Sequence, residues 1–231
     1  MLDILIVEDE NNIGEIVEIN LRMAGHNVAR VTSAEQAIAL VDTGAKFDMA
    51  ILDIMLPGRS GIELCERIRE KNKSMGIIML SAKGQEKDKV IGLTSGADDY
   101  ITKPFGIHEL LARVESLSRR VIRDSQKELD HKDVLVSGPF TLDLKSRILY
   151  KNKQVVDLTS VEFSIMELFF RNEGTALVRE KILEGVWGEN YYGDVKIVDV
   201  NIRRLRIKIE EDPSNPQHIV TIWGYGYRWT V

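Results

Sequence analysis

Short apolar runs alternate with longer amphipathic stretches through the first half of the chain. The runs lie at residues 3–8, 27–32, 48–52, 76–80 and 99–102. Several of them are continuously apolar, as expected for strands that are covered by helices on both faces. Strands that alternate with helices predict an α/β fold with a parallel sheet. We therefore predict five strands and five helices, with the last helix near residues 106–120.

The apolar pattern stops after residue 120, where the sequence VIRDSQKELDHKDVLVS carries mixed charge. This change predicts a first domain at 1–120, a linker at 121–136 and a second domain at 137–231. The second domain opens with short alternating segments, which predict small antiparallel strands. Helical patterns follow at 160–172, 178–187 and 195–210, and an aromatic, glycine-containing hairpin is predicted at 219–230. The second domain should therefore be α+β.

Composition excludes several classes of protein. The chain is 44% hydrophobic and 29% charged, which is typical of soluble globular proteins. The acidic N-terminus is unlike a signal peptide, and no apolar run reaches membrane-spanning length, so we expect a cytoplasmic protein with no membrane partner. One cysteine excludes an internal disulfide framework. The net charge is −5, so binding to nucleic acid would have to depend on local clusters of basic residues.

The residues that end the predicted strands form a chemical set. In an open parallel sheet, ligands bind beyond the carboxyl ends of the strands. Those ends carry three acids, a hydroxyl and a lysine, namely Glu8, Asp9, Asp53, Ser81 and Lys103. Any one of them alone would more often simply meet water, but all five at matching strand ends favour a shared site.

Three neighbouring carboxylates repel one another unless a cation lies among them. Mg²⁺ suits this set because it prefers a few protein oxygens, several waters and phosphate oxygens. A lysine and a hydroxyl beside the metal could hold the remaining oxygens of a phosphoryl group. Asp53 would then act as a nucleophile toward phosphorus.

Four motifs of the first domain, ILIVEDE, ILDIMLPGRSG, IIMLSAK and GADDYITKPF, resemble those of a response-regulator receiver domain. The resemblance implies a doubly wound five-stranded parallel sheet in the order 2-1-3-4-5 and a cis peptide bond between Lys103 and Pro104. It also implies that Asp53 is the phosphoacceptor and that Mg²⁺ is bound by Glu8, Asp9, Asp53 and the Met55 backbone carbonyl. Ser81 would be the switch hydroxyl, Tyr100 the switch aromatic residue, and Lys103 the lysine of the phosphorylation site. In such a switch, Ser81 would turn to a phosphoryl oxygen and Tyr100 would move inward.

The resemblance further implies a dimer through the fourth helix, fifth strand and fifth helix of the first domain. A two-fold dimer could pair opposite charges across its axis. The charged residues predicted on this face are Lys87, Lys89, Asp98, Asp99, Glu109, Arg113, Arg119 and Arg120. Without the resemblance, these charges would more often indicate a solvated surface.

The predicted helix 195–210 has an apolar stripe and a basic side. Val198, Ile202, Leu205 and Ile209 should face the core of the second domain. The other side should present Lys196, Val200, Arg203, Arg204 and Ile207, with Asn201 and Arg206 on its flanks. Such a helix could lie in a major groove, with arginines on guanine or phosphate, Asn201 on adenine and Val200 on a thymine methyl. A basic surface helix with no partner is the alternative.

Residues 137–231 resemble the winged helix-turn-helix effector domain of the OmpR/PhoB subfamily, on the segments LTSVEFSIMELF, VDVNIRRLRIKIE and GYGYR. The resemblance implies that the hairpin 219–230 is a wing that meets the adjacent minor groove. Trp223 stands where the family often has arginine or lysine, which leaves Arg228 or stacking by Trp223 as substitutes.

Taken together, the two resemblances imply a two-component transcription regulator. A sensor histidine kinase would phosphorylate Asp53, and the phosphorylated protein would dimerise and bind directly repeated half-sites in double-stranded promoter DNA, with RNA polymerase as a possible further partner. The protein would not be an enzyme beyond self-phosphotransfer and self-dephosphorylation.

Two alternatives remain open. One is a phosphohydrolase, which would need a second carboxylate two residues after Asp53, where the chain has Met55. The other is a DNA-binding regulator whose receiver is a phosphorylation-independent dimerisation scaffold, which the loss of an acid or of Lys103 would have favoured.

Overall fold

The computed structural model describes residues 1–82, 95–123, 134–189, 191 and 193–231, with residues 119–123 described by their backbone alone. The chain divides into two units, Met1–Ser125 and Gln126–Val231. Among the described residues, no helix combines the length and apolarity needed to cross a membrane.

The first unit is built on a five-stranded parallel sheet. Its strands are Asp3–Val7 (β1), Asn27–Val31 (β2), Met49–Asp53 (β3), Gly76–Ala82 (β4) and Asp99–Lys103 (β5). Their order is β2-β1-β3-β4-β5, which confirms the predicted topology. The central strand β3 is buried along its whole length because helices cover both faces of the sheet. This topology brings the carboxyl ends of β1, β3, β4 and β5 to one edge.

The described helices of the first unit are Asn11–Met23 (α1), Ala34–Asp42 (α2), Gly61–Lys71 (α3) and Ile107–Arg123 (α4). The fourth predicted helix falls within 83–94, outside the described residues, so α4 here is the helix that the sequence predicts as the fifth. α1 packs with α4, and α2 packs with α3. The predicted cis bond between Lys103 and Pro104 is confirmed.

The start of α3 is fitted to the end of β3. Ser60 and Glu63 form a reciprocal capping box, which fixes the first turn of the helix. Gly61 lies so close to the strand that an added Cβ would stand 1.9 Å from the carbonyl oxygen of Asp53. Only glycine allows this approach, and the approach holds the backbone of Asp53 at the sheet edge.

The described residues of the second unit form two antiparallel sheets and three helices. One sheet, in the order β6-β7-β8-β9, consists of Val134–Ser137, Phe140–Asp143, Ile148–Lys151 and Gln154–Val156. The other, in the order β10-β12-β11, consists of Ala176–Val178 (β10), Ile219–Ile222 (β11) and Gly226–Trp229 (β12). The helices are Ser160–Arg171 (α5), Arg179–Trp187 (α6) and Lys196–Ile209 (α7).

Aromatic packing joins these elements into one core. Trp229 is fully buried, stacks on Phe170 at 5.4 Å between ring centroids, and donates its indole N–H to Ser137 Oγ at 2.8 Å. Satisfying the buried indole donor in this way removes the cost of an unpaired polar group. Helix α5 begins at the predicted capping box of Thr159 and Glu162.

Regular structure extends into both ends of the predicted linker 121–136. Helix α4 continues to Arg123, since the sequence LSRRVIR contains no glycine or proline to end it. Strand β6 already begins at Val134, because Val134–Ser137 pairs in register with Phe140–Asp143. Residues 124–133 between them lie outside the described residues.

Candidate functional site

The acids and the lysine predicted at the strand ends come together at one edge of the sheet. Carboxylate oxygens of Glu8, Asp9 and Asp53 all lie within 4.8 Å of one another. Lys103 Nζ lies 2.8 Å from Asp53 Oδ2 and 2.8 Å from each carboxylate oxygen of Glu8. The structure therefore assembles the predicted acidic cluster around a single ammonium group.

Burial shapes the protonation of this cluster. Glu8 is fully buried and Asp53 nearly so, whereas Asp9 is exposed. Burial raises the pKa of Glu8 to about 7; its bond to Lys103 opposes this rise, and the nearby charge of Asp53 adds to it. Burial alone would lower the pKa of Lys103, but its bonds to Asp53 and Glu8 hold that pKa above its ordinary value. The lysine thus remains charged beside carboxylates that it only partly neutralises.

The residues present fit a small hard cation. Three carboxylates supply the oxygen ligands that Mg²⁺ prefers, and the exposure of Asp9 leaves room for bound waters. Met55 follows Asp53 closely, and its backbone N–H donates to Asp53 Oδ1 at 3.1 Å, while its side chain is 59% exposed. This amide fixes the orientation of the Asp53 carboxylate.

Ser81 and Tyr100 lie beside the cluster on β4 and β5. Ser81 is fully buried, and its Oγ has no hydrogen-bond partner among the described residues. A buried hydroxyl without a partner is costly, and it could donate to a new acceptor without losing an existing bond. Tyr100 is buried, with 8% of its surface exposed.

Asp98, Asp99 and Arg113, which are predicted for the charged dimer face, are buried within the single chain; the dimer face itself stays a prediction. Asp98 accepts from Arg69 Nη2 at 2.6 Å and from the Ile77 amide at 2.8 Å. Asp99 pairs with Arg113 Nη1 at 3.0 Å. These charges are drawn inward by partners in the same chain, which the sequence pattern does not reveal.

Of the other residues predicted for that face, the structure describes the side chain of Glu109. Glu109 is exposed and bonded to Arg113 at 2.7 Å. Lys87 and Lys89, and the side chains of Arg119 and Arg120, lie outside the described part of the chain.

Helix α7 presents the predicted apolar stripe to the core. Val198, Ile202, Leu205 and Ile209 are all buried. The stripe on its outer side consists of Lys196, Val200, Arg203 and Ile207, of which Val200 is half-buried and the others are exposed. Two cations and two aliphatic side chains at helical spacing make a surface that can meet both phosphates and base edges.

The prediction that Arg204 and Asn201 lie on the exposed part of this helix is wrong. Arg204 is buried, with its Nε 3.2 Å from Glu162 Oε1 and its Nη1 donating to Asn201 Oδ1. Asn201 is fully buried and donates to the carbonyl of Ile197 at 2.9 Å. The cause is the buried carboxylate of Glu162 on α5, which draws in Arg204 as its counter-charge.

Arg206 is also turned away from the outer stripe. Its guanidinium donates to the Ile219 carbonyl at 3.0 and 2.7 Å and to Thr221 Oγ1 at 2.8 Å. It therefore joins α7 to strand β11 of the terminal hairpin. Sequence reasoning missed this role, and no local pattern indicates it.

The hairpin between β11 and β12 has an aromatic tip. A tight turn is closed by the Tyr225 amide on the Ile222 carbonyl at 3.0 Å, and Gly224 has φ 71°, which favours glycine. Trp223 lies at this turn and is 91% exposed. Arg228 is half-buried on β12.

Comparisons with known proteins agree with both halves of this description. Residues 4–115 match the family model described as the response regulator receiver domain. Residues 152–229 match the family described as transcriptional regulatory protein, C terminal.

Relatives extend the likeness over the full chain. The chain is 41% identical over 228 residues to the sensory transduction protein RegX3 of Mycobacterium tuberculosis strain H37Rv, covering 99% of each chain. RegX3 of Mycolicibacterium smegmatis is 40% identical with the same coverage.

Two solved structures are also similar. A RitR mutant has the same fold, with a TM-score of 0.78 at 23% identity over 100% of this chain and 99% of that one. The response regulator DrrB, a Thermotoga maritima OmpR/PhoB homolog, is 32% identical over 100% of both chains with a TM-score of 0.52. This chain therefore belongs to the OmpR/PhoB-type response regulators, in which a receiver domain is followed by a DNA-binding winged-helix domain.

Proposed function

We propose that Asp53 accepts a phosphoryl group from a sensor histidine kinase in the presence of Mg²⁺. We propose further that phosphorylation promotes dimerisation and binding to directly repeated half-sites in double-stranded promoter DNA. The observation that carries this proposal is the position of Lys103 Nζ, 2.8 Å from both Asp53 and Glu8 within the acidic cluster. A phosphoryl group on Asp53 would lie next to the ammonium group of Lys103.

The residues of the cluster have distinct roles in the transfer. Glu8, Asp9, Asp53 and the Met55 carbonyl would hold Mg²⁺, which neutralises charge on the transferred group when it is bound. An Asp53 oxygen would form the new bond to phosphorus while the bond between phosphorus and the kinase histidine breaks, and the electron pair of that broken bond would stay on the departing imidazole nitrogen. Lys103 would hold a phosphoryl oxygen, and the hydroxyl of Ser81, which has no hydrogen-bond partner within the described parts of the chain, would donate to another.

The switch would extend from Ser81 to the buried ring of Tyr100 and then to the dimer face. Of the charges predicted there, Glu109 is exposed, and Lys87, Lys89 and Arg120 remain proposed contributors. Phosphorylation would add charge and acceptor oxygens at the sheet edge, and the dimer would present two winged helices to repeated half-sites. This action belongs in the cytoplasm, where RNA polymerase is a further proposed partner.

On the DNA side, Lys196, Val200 and Arg203 would enter the major groove, with exposed Ile207 beside them. The hairpin tip with Trp223 would lie over the adjacent minor groove, and Arg228 would supply a nearby cation. Arg204 and Asn201 have no part in this surface because they are buried.

The test is a titration with beryllofluoride and Mg²⁺, which mimic the phosphoryl group. Light scattering would follow the mass, and fluorescence anisotropy would follow binding to DNA from the protein's own upstream region. We expect wild type to dimerise and to bind DNA more tightly, while Asp53→Ala remains unchanged.

Asp48→Ala is the matched control, since Asp48 lies at the opposite end of the same strand, and it should behave as wild type. Equal DNA binding by wild type and Asp53→Ala, with or without the mimic, would instead indicate a phosphorylation-independent scaffold.

A further inference from the structure

Tyr227 lies at the centre of a charged cluster in the second unit. Two guanidinium groups lie over its ring, with Arg179 Cζ 4.9 Å and Arg206 Cζ 5.6 Å from the ring centroid. Its hydroxyl donates to Asp199 Oδ1 at 2.7 Å, and Arg179 Nε donates to the same oxygen at 2.7 Å. We call Arg179, Asp199, Arg206 and Tyr227 the clamp.

The clamp joins three elements that are separate in the sequence. Arg179 is the first residue of α6, Asp199 and Arg206 lie two turns apart on α7, and Tyr227 lies on β12 of the terminal hairpin. Arg206 also bonds to β11, so α7 is tied to both strands of the hairpin. The Asp199 carboxylate accepts from α6 and from the hairpin at once, which makes it the shared acceptor of the clamp.

Asp199 lies in the first turn of α7, where the helix dipole favours an acid, but it is also an acid on a basic surface. It is the only acid between residues 196 and 208, and it stands next to Val200 on the basic outer stripe. A carboxylate there would repel phosphate groups, and its side chain is 43% exposed. The charge of Asp199 therefore weakens DNA binding. A favourable effect of the residue on binding would have to come from the positions of the groups that it holds.

We infer that Asp199 is a positioning residue that fixes the angle between α7 and the hairpin, so that the outer stripe and Trp223 reach adjacent grooves of one duplex. This inference rests on the proposed DNA-binding function. A fixed angle between α7 and the hairpin contributes to specific binding, because specific contacts require both elements to meet their grooves at the same time. It contributes little to non-specific attraction, which depends on charge alone.

The inference and a purely electrostatic view of Asp199 predict changes of opposite sign. If the acid only repels phosphates, Asp199→Ala should tighten binding to every duplex. If it positions the hairpin, Asp199→Ala should weaken binding to a specific duplex, while binding to a scrambled one stays equal or tightens. Asp199→Asn keeps an acceptor oxygen in the same place without the charge, so it should restore specific binding.

The experiment uses the full chain with beryllofluoride and Mg²⁺. Wild type first selects a duplex from a random pool, and anisotropy then measures binding to that duplex and to a scrambled duplex of equal length. We expect Asp199→Ala to lose about tenfold on the selected duplex, as for one lost specific contact, and Asp199→Asn to stay within about threefold of wild type. Glu211→Ala, which removes an exposed acid outside the clamp, is the charge-matched control and should lose nothing.

Tyr227→Phe keeps the ring and removes only the hydroxyl bond, so it tests the inference even if Asp199→Ala folds poorly. It should weaken binding to the selected duplex and leave binding to the scrambled duplex unchanged. Specific binding by Asp199→Ala or Tyr227→Phe that equals or exceeds wild type would overturn the inference. Failure of wild type to enrich any duplex would overturn the proposed DNA-binding function, and the inference with it.

Discussion

Two buried glutamates, Glu8 in the first unit and Glu162 in the second, have opposite surroundings. Glu162 is fully buried between two cations, Arg204 and Lys208, and it also accepts from the Thr159 amide at the start of α5. Glu8 is equally buried, but it shares one lysine with Asp53 and has Asp9 close by. Among the described residues, two cations face the single carboxylate of Glu162, whereas one lysine faces three carboxylates around Glu8. We call the group around Glu162 the balanced cluster, because its negative charge is fully matched, and the group around Glu8 the unbalanced cluster.

The difference separates a structural site from a functional one. A buried carboxylate whose charge is matched by cations cannot be removed without leaving a buried charge unpaired, so its role is structural. A cluster with excess negative charge is destabilising until a cation arrives, so it marks a place where one should bind. Burial of an acid alone does not distinguish these cases, whereas the local balance of charge does.

The largest effect should come from breaking the balanced cluster. Glu162→Ala leaves Arg204 buried without its carboxylate, so the free energy of unfolding of the second unit should fall by about 3–5 kcal/mol. Urea denaturation followed by tryptophan fluorescence would measure it, since all three tryptophans lie in that unit. Glu167→Ala is the control on the same helix, because its pair with Arg171 is partly exposed and should cost less than about 1 kcal/mol. Equal losses of unfolding free energy in Glu162→Ala and Glu167→Ala would contradict the structural role assigned to the balanced cluster.

Binding of Mg²⁺ should stabilise the first unit, which contains the unbalanced cluster, and should leave the second unit unchanged. Mg²⁺ at a hundred times its dissociation constant should stabilise the first unit by about 2.7 kcal/mol, and chelation should reverse this. Hydrogen exchange can follow both units in one sample. Amides of β3 and β4 should gain protection with Mg²⁺, while amides of α5 and α7 should not. Equal gains in both units would indicate non-specific ion effects.

Tyr227 offers a third kind of buried ionisable group, one that is kept neutral. Burial, followed by its bond to Asp199, raises the pKa of Tyr227 to about 12. In the unfolded chain the phenol ionises near its ordinary pKa of about 10, so above that pH the unfolded chain binds fewer protons than the folded one. Folding stability contributed by this group is complete below pH 10 and is lost as the pH rises toward 12.

Between pH 9 and 11, wild type should therefore lose about 1 kcal/mol that Tyr227→Phe does not lose. Chemical denaturation of the two proteins at both pH values would measure the difference, and other titrating groups cancel in the comparison. Parallel losses in the two proteins would show that the phenol ionises normally in the folded state.

The smallest effect on stability should come from the exposed acid of the unbalanced cluster. Asp9→Asn removes repulsion and no hydrogen bond to any residue that the structure describes, so the free energy of unfolding without metal should change by less than about 0.5 kcal/mol. Affinity for Mg²⁺, measured by calorimetry, should nevertheless fall by about tenfold or more. Asp42→Asn, at the C-terminal end of α2, should leave that affinity unchanged. Unchanged affinity in Asp9→Asn would remove Asp9 from the metal site.

The sheet-edge cluster could be predicted from the sequence because topology alone brings strand ends together. Once the runs are read as parallel strands, Glu8, Asp53 and Lys103 must meet at one edge. The buried stripe of α7 was equally predictable, since it depends only on helical period.

Pairings between distant elements could not be predicted in this way. Arg204 lies at the boundary of the α7 stripe, and whether it faces water or the core depends on Glu162, a partner on another helix. The same is true of Arg113 with Asp99 and of Arg206 with β11. The hydrophobic period of a sequence describes one helix or strand at a time, so it does not indicate which charged or polar group on another element a side chain will pair with.

The bare indole at the hairpin tip also makes the protein its own optical probe. Trp187 and Trp229 are buried in the core of the second unit, whereas Trp223 is 91% exposed. A water-soluble collisional quencher such as iodide reaches only the exposed indole, so the quenched fraction of the emission reports on the hairpin tip and the protected fraction reports on the core. Without an attached dye, the quenchable emission of Trp223 would therefore report when a ligand covers the hairpin tip. The protected emission of the two buried tryptophans would report whether the second unit remains folded.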